Sequence, residues 1–282
     1  MRRLIQIAST YRNPADWIKN VTWRFPTTIS DLPCVFVVGA PRSGTTLLQG
    51  ILSGHPEFFS INAETGLFSL QNIFDTERNH FGLPVAEQKR CFGECRDIVD
   101  FFDTCVKRLS DQEEGRRFVE KTPQHALRVP FILRHFPKAQ IVHIIRDGRD
   151  AFASAKNHPG VPQGGSVDRF ARYWKRCVSA VAAAVQPSRI LEVRYETLCS
   201  APEELLSQTM NFLDAEFNAV QIDQQQLSSD PRSKIPEFAR LASGINSSSV
   251  GRWKDGLSQE EIQRFDAIAG RWLETLGYER TT

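Results

Sequence analysis

The sequence has no uninterrupted apolar run of the roughly 18 residues that a membrane-spanning helix needs. Its start carries Arg2 and Arg3 but only a short apolar run, and it lacks the apolar core and small-residue cleavage site of a signal peptide. These two features together predict no membrane span and a cytoplasmic location.

A charge excess is also missing. The chain has 35 Lys and Arg residues against 33 Asp and Glu residues, which gives a net charge of +2. A balance of this kind argues against a partner that is bound by overall charge, such as nucleic acid or an anionic membrane surface. Any basic chemistry must therefore be local.

Cysteine is scarce, and its spacing does not suit a metal site. Only Cys91 and Cys95 lie close together, and no second close pair completes a ligand set. We predict free thiols in a reducing compartment and no bound metal. The six cysteines are Cys34, Cys91, Cys95, Cys105, Cys177 and Cys199.

Short apolar runs alternate with stretches of helical periodicity along the chain. This alternation is typical of an α/β fold, here a P-loop-type doubly wound parallel sheet flanked by helices. We expect a single domain over residues 1–282, with a core at about 33–278 and residues 1–32 packing on it. Strands are predicted at 34–38, 117–121, 140–145 and 189–194, and helices at 84–110, 126–135, 148–157, 166–185 and 202–213. A capping-box pattern at Ser258 predicts one more helix near the C-terminus.

The stretch "VVGAPRSGTTLL", residues 37–48, combines a buried strand, a glycine turn and a helix start. Gly39 and Gly44 have the spacing of the phosphate-binding loop G-x-x-x-x-G-K-[ST], but Thr45 stands in the lysine position. Arg42 and neighbouring hydroxyls supply donors for phosphate or sulfate oxygens, and the helix start favours an anion. The stretch therefore predicts an anion site.

The missing lysine argues against a P-loop kinase or nucleotidase, the first alternative. In those enzymes the lysine reaches the β- and γ-phosphates, and an acidic residue on another strand helps to hold magnesium. Asp147 follows the third predicted strand, but it lies beside two arginines that could pair with it. The pattern favours cationic side chains over a metal as the phosphate clamp.

Four motifs in order resemble the sulfotransferases that use 3′-phosphoadenosine 5′-phosphosulfate (PAPS). They are "APRSGTTLL", "IIRDGRDAFAS", "RYETL" with the following "APEELL" and "NFL", and "NSSSVGRWKDGL". The resemblance runs from about Pro33 to Tyr278, and it is nearest to the branch of tyrosylprotein sulfotransferases and related bacterial enzymes. It implies PAPS as the sulfuryl donor and no metal.

The resemblance also implies which residues bind the donor. The 5′-phosphosulfate would lie on Arg42, Ser43, Gly44, Thr45 and Thr46. The 3′-phosphate would lie on Arg146 and Ser154, and the remaining nucleotide contacts would come from Tyr195, Asn246 and Arg252.

Three residues are candidates for the chemistry itself. Glu64, in "NAETGLF", resembles the glutamate base of the tyrosylprotein branch. Lys121, in "EKTP", would offset leaving-group charge together with Arg42. His125 follows Lys121 by four positions and is a rival base, because other branches use a histidine soon after such a lysine.

The predicted activity is in-line sulfuryl transfer to an acceptor hydroxyl or amine. A peptide tyrosine, a carbohydrate, or a small alcohol or lipid all remain open as acceptors. The acceptor pocket is expected from residues 65–115, 156–170 and 225–245. The second alternative is a catalytically silent module that binds 3′-phosphoadenosine 5′-phosphate (PAP), and a homodimer is a further expectation.

Overall fold

The fold is built on one five-stranded sheet in the spatial order β2-β3-β1-β4-β5, and all of its neighbouring strands are parallel. The structure is a computed structural model that describes residues 18–19, 21–61, 63–69, 81–111, 113, 115–223, 227 and 244–281. The strands are β1 Val35–Gly39, β2 Phe58–Phe59, β3 Arg117–Lys121, β4 Gln140–Ile145 and β5 Ile190–Arg194. The parallel α/β class predicted from the alternation is confirmed.

Helices cover both faces of the sheet, as the two apolar clusters of the core demonstrate. Phe36 and Val38 belong to one cluster and Val35 and Val37 to the other, because successive strand side chains point to opposite faces. The helices are α1 Thr45–Ser53, α2 Val85–Glu94, α3 Ile98–Ser110, α4 Val129–His135, α5 Gly148–Ala155, α6 Val167–Ala182, α7 Tyr195–Ser200, α8 Pro202–Phe212, α9 Trp253–Gly256 and α10 Gln259–Thr275.

Two predicted helices are interrupted. The pattern over 84–110 forms α2 and α3, because Cys95 is extended and Asp97 starts a new helix by accepting the N–H groups of Val99 and Asp100. The stretch predicted as a helix from 126 begins instead as a 3-10 turn at Pro123–Arg128. The following helix α4 has a proline in its first turn, where proline is tolerated.

The structure adds to the elements predicted from the sequence at three places. β2 has two residues, too few for a periodic signal, and α7 follows β5 without a connecting loop. The capping box of α10 is confirmed, with Ser258 and Glu261 bonding reciprocally.

The described part of the N-terminal segment packs on α2 and α3. The Trp23 ring centroid lies 4.9 Å from that of Phe92 and 5.8 Å from that of Phe101. Asp97 accepts from the backbone N–H groups of Thr27 and Thr28. These contacts join residues 23–28 to the core, while residues 1–17 lie outside the described part.

Among the described residues, no helix is both long enough and apolar enough to cross a bilayer.

Asp103→Asn tests the buried contact of α3 with Ser30. Burial raises the pKa of Asp103 to about 6, although the Ser30 hydroxyl at 2.6 Å from its carboxylate opposes the shift. A folded-state pKa above the unfolded value stabilises the fold at low pH, and that contribution is lost as the pH rises through about 6. We expect the urea midpoint of the wild type to fall relative to the variant between about pH 4 and pH 7.

Asp100→Asn is the control for the sign of this effect. The hydrogen bond from Arg96 lowers the pKa of Asp100, so its contribution is lost as the pH falls instead. Parallel midpoint-versus-pH curves for wild type and Asp103→Asn would contradict the assignment.

Candidate functional site

A cavity of about 860 Å³ lies at the carboxyl ends of the central strands, the edge where ligands bind in open parallel sheets. Its walls contain nine of the predicted site residues. They are Arg42, Gly44, Thr45, Thr46, Glu64, Arg146, Ser154, Tyr195 and Asn246. The predicted residues that do not line it are Ser43, Lys121 and Arg252, together with the rival base His125.

The loop between β1 and α1 needs its two glycines for close approach. A Cβ on Gly39 would lie 2.5 Å from the carbonyl oxygen of Ile144, and one on Gly44 would lie 2.5 Å from Tyr195 Cδ2. Gly44 also has φ 97°, in the left-handed region that favours glycine. The turn therefore brings the first backbone N–H groups of α1 to the cavity, where they have no partner within the helix.

Arg42 spans the loop side of the cavity and contacts two residues beyond the loop. Its Nε donates to Ser154 Oγ at 3.1 Å, and its Nη1 lies 3.2 Å from His158 Nε2. Ser154 was expected beside Arg146, and the structure gives it Arg42 as a partner. His158 lay in a glycine- and proline-rich stretch whose composition predicts a loop but no particular contact.

Arg146 joins the loop to the wall formed by Tyr195. Its Nη1 donates to the carbonyl of Arg42 at 3.0 Å, and its guanidinium lies 4.5 Å from the centre of the Tyr195 ring. The Nε atom of Arg146 and the hydroxyl of Ser43 are both buried, and neither has a hydrogen-bond partner among the described residues. Two donors for an anion are thus held at the same loop.

The loop over residues 246–252, here called the late loop, is hydrogen-bonded to the start of α5. Asp150 accepts from the backbone N–H of Gly251 at 2.7 Å and from that of Trp253 at 2.8 Å. Arg146 Nη2 donates to the carbonyl of Ser249. Arg252 lies exposed at the N-terminal end of α9, outside the cavity walls.

Asp147 has the arginine partner that its sequence neighbours suggested. Its carboxylate accepts from Arg149 Nη2 at 2.8 Å and from Arg149 Nε at 3.1 Å. Within the described ranges, no three His, Cys, Asp or Glu side chains are grouped as a metal site would require.

Glu64 and Lys121, predicted separately as base and electrophile, form an ion pair. Lys121 Nζ lies 2.7 Å from Glu64 Oε1. The lysine side chain is only 3% exposed, whereas that of Glu64 is 36% exposed and lines the cavity. The carboxylate can therefore meet an acceptor while the ammonium lies behind it.

His125 is fully buried and has both ring nitrogens engaged. Its Nδ1 lies 2.9 Å from Glu120 Oε2, and its Nε2 accepts from the backbone N–H of Phe68 at 3.1 Å. It is absent from the cavity walls among the described residues. This placement favours Glu64 over His125 as the group that can reach an acceptor.

The cavity is also lined by residues that no motif indicated. The predicted contributions from 65–115 and 156–170 are present, through Gly66 and Ser69 and through Gly160 to Gln163. Of 225–245, the structure describes only residues 227 and 244–245. The unpredicted residues include Gln124, Leu127 and Arg128 from the 3-10 turn Pro123–Arg128, and Tyr173 and Arg176 from α6.

Comparison with known proteins agrees with this geometry. A model of the sulfotransferase family matches residues 33–219, which is more than half of the chain. The chain belongs to the sulfotransferase family. It is therefore an enzyme of the transferase class, as the motifs implied.

This sulfotransferase has relatives in animals. It is 28% identical to a putative protein-tyrosine sulfotransferase of Caenorhabditis briggsae, covering 88% of this chain and 90% of that one. It is 22% identical to the Drosophila melanogaster protein-tyrosine sulfotransferase, covering 88% of this chain but only 52% of that one.

Solved structures support the fold. The sulfotransferase domain of the Synechococcus PCC 7002 olefin synthase aligns with TM-score 0.63 at 21% identity, over 88% of this chain and 98% of that domain. Mouse sulfotransferase SULT7A1, solved in complex with PAP, aligns with TM-score 0.56 at 15% identity, over 88% of this chain and 87% of that one.

Gly44→Ala tests the close contact of the loop with Tyr195. The added Cβ would overlap the ring and the left-handed φ disfavours alanine, so we expect a loss of about 1–3 kcal/mol in the free energy of unfolding. Urea denaturation measures it. Gly93→Ala is the matched control, since Gly93 lies within α2 with no neighbour within 4 Å, and alanine there should be neutral or stabilising. Equal effects of the two substitutions would contradict the contact.

Proposed function

We propose that this sulfotransferase transfers the sulfuryl group of PAPS to a hydroxyl or amine of an acceptor by in-line displacement, with Glu64 as the general base. The observation that carries the proposal is the ion pair between Glu64, which lines the same cavity as the loop between β1 and α1, and the buried Lys121 behind it. A base and a charge-stabilising cation are the groups that this chemistry requires beside a donor site.

The loop side of the cavity suits the two anionic ends of PAPS. Ser43 Oγ and Arg146 Nε are buried polar atoms without a partner among the described residues, and such atoms are costly unless a ligand satisfies them. Arg42, Thr45 and Thr46 add donors for the phosphosulfate. Arg146 with Ser154, and Tyr195, Asn246 and Arg252, are the proposed contacts to the rest of the nucleotide.

The bound donor supplies an activated sulfuryl group on a phosphate leaving group. The chain's own residues do the rest: Glu64 accepts the proton of the attacking hydroxyl at its carboxylate, and Lys121 and Arg42 stabilise negative charge nearby. The names of the animal relatives support a tyrosine hydroxyl as one acceptor. Carbohydrate and small alcohol or lipid acceptors belong in the same test, which is incubation with labelled PAPS and a panel of these classes.

The alternatives have less support. A kinase or nucleotidase would need a lysine at position 45, where this chain has threonine, and Asp147 is already engaged by Arg149. A silent PAP-binding module would not need Glu64 beside Lys121. The homodimer, the cytoplasmic location and the absence of a nucleic-acid partner stay predictions.

PAP should raise the melting temperature of the protein, because a ligand that binds only the folded state stabilises it by mass action. Differential scanning fluorimetry over a PAP titration measures the shift. Arg146→Gln should reduce the shift strongly, whereas Arg172→Gln, a control on the exposed face of α6, should leave it unchanged. No shift at saturating PAP would count against the donor site.

Glu64→Gln should lower the turnover number by roughly 10²-fold or more, because an amide cannot accept the proton that a general base removes. The PAP-induced shift should persist, since the ion-pair partner of Glu64 is Lys121, which lies outside the loop between β1 and α1. Glu260→Gln, at an exposed position of α10, is the control. Full turnover in Glu64→Gln would assign the base to another residue.

A further inference from the structure

The carboxylate of Glu120 is a buried charge with a full set of donors. The residue is 1% exposed. Its Oε1 accepts from the hydroxyls of Thr65 and Thr122, each at 2.7 Å, and its Oε2 lies 2.9 Å from His125 Nδ1. A buried carboxylate is tolerated when it is satisfied in this way, so the three donors and the carboxylate are placed by one another.

Two of these donors also bind the backbone of the segment that follows Glu64. Thr122 Oγ1 accepts from the N–H of Gly66 at 3.0 Å, and His125 Nε2 accepts from the N–H of Phe68 at 3.1 Å. Thr65 itself belongs to the segment. Thr65 is therefore bonded directly to the Glu120 carboxylate. Gly66 and Phe68 are linked to it through the side chains of Thr122 and His125.

The hydrogen-bond directions in this network all depend on an ionised Glu120. Because Nε2 of His125 accepts from a backbone N–H, the ring hydrogen lies on Nδ1 and is donated to the carboxylate. Thr122 likewise accepts from Gly66 and so donates its only hydroxyl hydrogen to Glu120. Burial raises the pKa of Glu120, and the hydrogen bonds from His125 and the two hydroxyls lower it.

We infer that Glu120 is a positioning residue, which holds the segment 64–68 so that Glu64 stays beside Lys121 and faces the acceptor. The same two stretches of chain make both contacts in adjacent positions: Glu64 pairs with Lys121, and Thr65 bonds Glu120. The inference rests on the proposed function, in which Glu64 is the base. Glu120 itself does not line the cavity and touches no reactant.

Glu120→Gln breaks this network while keeping its shape. The amide group of glutamine adds a donor, which meets either a threonine hydroxyl hydrogen or the Nδ1 hydrogen of His125. A tautomer change in His125 would only move the conflict to the N–H of Phe68. Because a misplacement of about 1 Å can cost about 10²-fold in rate, we expect the turnover number to fall about 10- to 100-fold.

The experiment uses the full chain, labelled PAPS and the panel acceptor that the wild type sulfates fastest. The turnover number, the KM for PAPS and the PAP-induced melting shift are measured for each variant. We expect Glu120→Gln to lose turnover while the KM for PAPS and the melting shift stay within about twofold of wild type, since the donor contacts lie on other segments. A general structural role would change all three.

Two variants of Thr65 test the network without altering a charge. Thr65→Val keeps the shape but removes the hydroxyl, and it should also lower turnover. Thr65→Ser restores the hydroxyl and should rescue it. Glu192→Gln is the control, because it alters another pair of a glutamate and a buried histidine. Glu192 Oε1 lies 3.4 Å from His143 Nδ1 on β5 and β4, on the other side of the sheet. The Glu192→Gln variant should have unchanged turnover.

The outcomes separate the inference from the proposed function. A wild type that binds PAP but sulfates no panel acceptor contradicts the proposed function, and the inference falls with it. Wild-type transfer with full turnover in Glu120→Gln overturns the inference alone. If Glu120→Gln does not fold, the two Thr65 variants decide. Equal turnover in Thr65→Val and Thr65→Ser overturns the inference. A loss of turnover in Thr65→Val alone supports it.

Discussion

The parallel pairing of β1 with β3 on one side and β4 on the other is the constraint on which the site depends. In this register Val37 lies beside Lys121 and Gly39 beside Ile144. Because the strands are parallel, the loop after β1 emerges between the ends of its two neighbours. Arg42 and Arg146, 104 positions apart in sequence, thus meet at one hydrogen bond.

The charged side chains at this edge of the sheet have different partners on its two sides. On one side, Arg146 donates to the carbonyls of Arg42 and Ser249, so this cation links the loop between β1 and α1 to the late loop. On the β3 side, the two neighbouring residues Glu120 and Lys121 face opposite ways, as strand geometry requires. One orders the segment after Glu64 from within the core, and the other pairs with Glu64 at the cavity.

The family likeness and the geometry carry different parts of the conclusion. The two solved sulfotransferase structures are 21% and 15% identical to this chain, and likeness at that level establishes the fold. The proposed donor site rests on the loop and on two buried donors, Ser43 Oγ and Arg146 Nε, which have no partner among the described residues. Residues such as Gln124, Arg128 and Tyr173 also line the cavity, although they lie outside the motifs.

The sequence by itself predicted the parallel sheet, the glycine turn between β1 and α1 and, through the family resemblance, nine of the residues that line the cavity. These features depend on local order along the chain, such as a strand followed by a glycine turn and a helix start. Tertiary structure decided the partnerships: Ser154 with Arg42, Glu64 with Lys121, and His125 with Glu120 and Phe68. The first two join side chains that are far apart in sequence, and the last joins His125 to a neighbouring carboxylate and to the backbone N–H of Phe68, away from the cavity. No spacing rule encodes such contacts, because they arise only when separate strands and loops pack against one another.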